Sequence, residues 1–179
     1  MPAFDPNEYG PVALGLLTAE RLPALGPGSP NRAAHSALQS LSVETLFPGA
    51  ITDHDMARAC ISGLWLLHDF LDESHSISQE IDTPTGSYWH GIMHRREPDA
   101  SNAKYWFRRI GSHPVVEALA FQTTAVGYRY QSPFAFVDFC ERVRGSGSDD
   151  EMIARRVQLL EWQLLFDWCY RQTIDNSYG

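Results

Sequence analysis

Apolar positions in this chain recur at three- and four-residue spacing, and sustained period-two alternation is scarce. Ala34, Leu38 and Leu41 open the first clear amphipathic run, Val43 and Leu46 continue it, and Phe47-Pro48-Gly49 stops it. Thr52 reads as an N-cap, with Asp53 and Asp55 where the helix dipole favours acids, so a helix is predicted from about Asp53 to His75. Its centre, Ile61 to Leu67, is almost wholly apolar, and Gly63 suits a close helix contact. Residues 76–86 read as a loop. Helices then follow at about Ser87–Glu97, Asp99–Ile110, Pro114–Val126 and Pro133–Arg144, separated by Pro98-Asp99, Gly111 and the 127–132 connection. Gly145-Ser146-Gly147-Ser148 is flexible by composition. The last helix, Asp149 to about Thr173, is apolar over most of its circumference. That implies central burial or a subunit interface.

The expected fold is all-α: about seven or eight helices packed as antiparallel pairs, in a repeat-like array or an irregular bundle. Residues 1–30 carry six prolines and read as an arm on the surface, an arm across a neighbouring subunit, or a tail. Residues 31–179 form a single helical domain. The arm is expected to hold at most one short helix, near Val12–Leu17.

Composition narrows the function classes. The net charge is −8, from 14 basic and 22 acidic residues, which argues against nucleic-acid binding. No apolar run is long enough to span a bilayer and the amino terminus lacks a signal-peptide pattern, so a cytoplasmic protein is expected. Cys60, Cys140 and Cys169 are widely spaced and apolar-flanked, which suits free buried thiols better than a zinc ribbon.

Candidate chemistry concentrates between Leu67 and Gly111, which holds four of the seven histidines and two Arg-Arg pairs. His68, Asp72 and His75 fall at i, i+4 and i+7, and His90, His94 and Glu97 repeat that spacing. If the two helices run antiparallel, the rows face each other. Asp72, His75, His90 and His94 would then bind a divalent zinc, iron or manganese ion, with His68 and Glu97 as outer or additional ligands. An open coordination position would make the site hydrolase-like. The competing reading is a hydrogen-bonded network that holds the fold together. Arg95, Arg96, Arg108 and Arg109 sit on adjacent predicted helices and offer an anion- or phosphate-binding clamp, or pairing with nearby carboxylates. No nucleophile elbow or phosphate-binding glycine loop is present.

The stretch Tyr88 to Pro114 resembles a single tetratricopeptide or Sel1-like helix-turn-helix repeat. Gly91 matches the small residue of the first helix, Pro98-Asp99 the turn, Ala103 and Phe107 the A-x-x-x-F spacing, and Pro114 the terminal proline. His90 and His94 stand where such repeats carry Leu and Tyr. The resemblance implies stacked helix pairs and a protein- or peptide-binding surface, hence an interaction or scaffold role with a protein partner; a homo-oligomer is what the apolar last helix offers instead.

Overall fold

The computed structural model describes residues 4–17 and 21–174. Among them are ten α-helices, two 3-10 turns and no strand, in keeping with the expected all-α class. The 3-10 turn Pro6–Tyr9 leads into α1 (Gly10–Leu17). Then come α2 (His35–Gln39), α3 (Val43–Leu46), α4 (His54–Leu67), α5 (Leu71–Ser78), α6 (Pro84–Arg96) and α7 (Ala100–Phe107). The chain closes with α8 (Pro114–Gln122), a 3-10 turn (Thr123–Val126), α9 (Pro133–Val143) and α10 (Asp149–Ile174). No helix among the described residues is long and apolar enough to cross a membrane.

Three helices make the centre. α4 starts at Asp53, whose carboxylate accepts from the Asp55 and Met56 backbone N–H groups; Asp53, not Thr52, is the cap. Every residue from Ala59 to Leu67 is buried. A Cβ on Gly63 would lie 2.8 Å from the Trp89 ring, so the missing side chain is what lets α6 come this close. Trp162 of α10 donates its indole N–H to the Gly63 carbonyl at 2.8 Å, locking the third helix onto the same spot.

Two helix boundaries and one linker differ from expectation. The helix predicted from Asp53 to His75 is broken at residues 68–70, where Asp69 takes φ +65° and separates α4 from α5. α6 begins at Pro84, because Thr83 caps it through the Gly86 N–H and proline fits the first helical position. The Gly145–Ser148 segment is held: the Glu151 carboxylate accepts from the Gly145 and Gly147 N–H groups at 2.9 and 2.7 Å. α10 is buried within the chain through Val157, Trp162, Leu165, Phe166 and Cys169.

The arm is docked as well. Tyr9, Ala13, Leu16, Leu17 and Leu25 are buried. Six successive carbonyls, Leu22 to Pro27, each accept from a core side chain. Arg155 takes Leu22 and Pro23, Gln158 takes Ala24, Arg144 takes Leu25, and Arg96 takes Gly26 and Pro27. An extended, proline-rich backbone has no internal partners for its carbonyls, and here the folded body supplies them.

Candidate metal centre

α5 and α6 are joined by five residues, 79–83, and pack against each other. That brings His75 of α5 against His90 and His94 of α6, with one potential donor atom from each lying within 4.8 Å of the other two. The ring centroids are 4.7 Å apart for His75–His90, 5.3 Å for His75–His94 and 4.7 Å for His90–His94. His90 is wedged between the His94 ring and the Trp106 ring of α7, which stacks on it at 4.0 Å and 13°. His90 and Trp106 lie eight residues either side of Pro98, which places them opposite each other across the turn, a symmetry readable in the sequence.

His90 is the unusual member. It is 2% exposed, and neither ring nitrogen has a hydrogen-bond partner among the described residues. Leaving a buried polar group unpaired costs about 1–3 kcal/mol. Burial, then the neighbouring His94 and His75, push its pKa down to about 3, so the ring is a neutral electron-pair donor at neutral pH. Burial lowers His94 as well, against the pull of Glu97. The Glu97 carboxylate stands 3.0 Å from His94 Nδ1, at ion-pair distance but out of line for a hydrogen bond. It favours a proton on Nδ1 and frees Nε2 as the donor.

The arrangement is near a metal geometry without matching it. A tetrahedral ion with nitrogen bonds of ~2.0–2.1 Å spaces its donors about 3.3 Å apart, less than the 4.8 Å spread here. The near-parallel His90 and His94 rings, 16° apart, do not share an in-plane point. Loading an ion therefore requires His94 to turn, since Trp106 blocks His90 on its other face.

The remaining expected residues sit elsewhere. His68 leaves the row because the break at Asp69 turns it away; its ring meets Asn31 Nδ2 at 2.9 Å and the Leu16 carbonyl at 3.0 Å. Asp72 is exposed and is not among the converging donors. It lines a cleft of about 580 Å³ with Asp69, Glu73, Glu97, Asp99 and the arm residues Pro27, Gly28 and Pro30. The arginines do not form a shared clamp. Arg95 pairs with Glu161, Arg96 with Asp69 and Arg109 with Asp82, while Arg108 is exposed.

One polar cluster was not foreseen. On another face of α6, Arg95 Nη2 meets Glu161 Oε2 at 2.5 Å, both side chains fully buried, and Tyr88 donates to Glu161 Oε1 at 3.3 Å. The guanidinium lies over the Phe136 ring at 4.6 Å. Glu161 sits within a run of apolar residues on α10, the one available hint that a cation would have to reach it. Comparisons with family models, with curated proteins and with solved structures find no match to this chain, so the site's own geometry is what bears on function.

Proposed function

We propose that this protein binds a divalent transition-metal ion through His75, His90 and His94. The observation that carries the reading is His90, a neutral, buried imidazole with neither nitrogen partnered among the described residues, facing two further imidazoles whose donors lie within 4.8 Å. Three nitrogen donors suit zinc or iron(II) better than manganese, which favours oxygen ligands. Glu97 is the residue that orients His94. Three protein ligands leave a position for water, and a bound ion would supply the lowered water pKa that hydrolytic metal sites use.

Elemental analysis of protein purified without an affinity tag tests this, together with thermal shifts on adding zinc, iron(II) or manganese. About one ion per chain, lost in His75→Ala and in His90→Ala, is the expected result. No bound metal and no shift with any of the three ions would contradict it.

A second reading, an interaction domain built on helix pairs, is supported by one feature. Phe121 is 82% exposed on a groove of about 730 Å³ that Pro114, Val115, Ala118 and Trp168 line. Sedimentation of the wild type and of Phe121→Ser distinguishes self-association from a monomer.

A further inference from the structure

The three histidines come from two short helices, and something must set how those helices sit. α5 has only eight residues and does not hold itself. Its start is fixed by the elbow at Asp69, a non-glycine residue at φ +65°. Such a backbone persists where its surroundings over-determine it. The Asp69 carboxylate takes Arg96 Nη2 at 2.5 Å through one oxygen and Arg21 Nη2 at 2.5 Å through the other. Arg96 also donates from Nη1 to the Leu66 carbonyl at 2.7 Å. One guanidinium, two residues past His94 on α6, therefore holds the elbow six residues before His75.

The arm completes this clamp. Arg21 Nε donates to the Leu67 carbonyl at 3.1 Å, and Arg96 holds the Gly26 and Pro27 carbonyls. Gly28, at φ +75°, lies so close that a Cβ there would come within 2.7 Å of the Asp69 carboxyl carbon. Resting on the metal-binding reading above, we propose that Asp69 and Arg96, completed by Arg21 of the docked arm, are positioning residues for the three-histidine site. Docking of residues 21–31 and metal binding then favour each other. The spread of the donors makes the clamp matter: the ion must gather donors carried on both α5 and α6, and a released elbow adds the ordering of α5 to that step.

The test uses the full chain. Zinc affinity is measured by competition with a chromogenic chelator, and the cobalt-loaded protein by its visible spectrum, for wild type, Arg21→Ala, Gly28→Ala and Arg21→Lys. Arg21→Ala and Gly28→Ala are expected to weaken zinc binding about 10-fold, the scale on which outer partners of metal sites act. Both should alter the cobalt spectrum, and Arg21→Lys should recover most of the loss. Hydrogen exchange on the wild type needs no variant to fold: zinc should slow exchange of the amides between Arg21 and Asn31, as reciprocal coupling demands. Wild-type affinity in both variants, with exchange in the arm unmoved by zinc, would overturn the positioning role even if the variants melt earlier. A wild type that binds no zinc or cobalt overturns the metal reading itself, a separate and recognisable failure.

Discussion

α6 carries two buried polar clusters on different faces, and they differ in how far the protein completes them. Arg95 reaches Glu161 at 2.5 Å, with Tyr88 on the second carboxylate oxygen and Phe136 beneath the guanidinium. Charge there is neutralised within the fold. His90, five residues earlier, has no hydrogen-bond partner among the described residues and instead stacks between His94 and Trp106. Both clusters are largely buried, but only the first supplies a charge partner: Arg95 Nε and Nη1 lack hydrogen-bond partners among the described residues, yet Nη2 and the charge are met by Glu161. A group buried to hold a fold together comes with its partner, whereas a buried donor left unpaired is expected where a ligand completes it.

The largest expected effect breaks the closed cluster. Glu161→Ala leaves the Arg95 charge buried without its partner and should cost about 3–5 kcal/mol, read as a lower urea midpoint. Replacing the pair together, Arg95→Met with Glu161→Leu, should recover most of that loss, because the cost lies in the orphaned charge.

Acid comes next and acts on a histidine outside the metal site, one whose ring packs edge-on against Tyr88 at 5.2 Å. His113 is buried, caps α8 through the Val115 N–H and meets Thr85 through Nε2. Burial pushes its pKa down to about 4 from an ordinary 6.5. The unfolded chain therefore takes up the proton first. The stability from His113 is present above pH 6.5 and is lost as pH falls towards 4, about 1–2 kcal/mol by pH 5. His113→Asn keeps a capping side chain and should make that limb of a stability–pH curve shallower between pH 7 and 5, the remaining slope coming from His90 and His94, which burial lowers as well.

His90→Phe sharpens the contrast directly. It removes two unpaired buried nitrogens while keeping a ring against Trp106, so the metal-free protein should be unchanged or more stable by about 1 kcal/mol. A large destabilisation in urea would mean that His90 belongs to the fold, like Arg95. The smallest effect is Asp72→Asn. That side chain is exposed and outside the donor set, so zinc affinity should change less than about 2-fold.

What could be read from the sequence follows from how local its causes are. His90 and His94 share a face by spacing alone, and a short link to the preceding helix was enough to place His75 against them. Gly63 announced a close contact, and Trp89 fills it. The break at Asp69 has no glycine or proline to signal it. It depends on Arg96 and Arg21, 27 and 48 residues away, and with it His68 left the predicted row. The arm misled for a related reason. Its prolines do exclude long helices, but six carbonyls captured by four side chains from three other parts of the chain leave no periodic trace. Thr83-Pro84 is a helix start written in the sequence, a capping threonine followed by a proline at the first helical position. Glu161, one acid in an apolar helix, pairs across the core with a residue 66 positions away.

The most direct measurement is a calorimetric zinc titration of the tag-free, metal-stripped protein beside His90→Phe. Saturable binding of one ion by the wild type, absent from a folded His90→Phe, is the predicted result. Equal binding by both, or none by the wild type, would contradict a three-histidine metal centre.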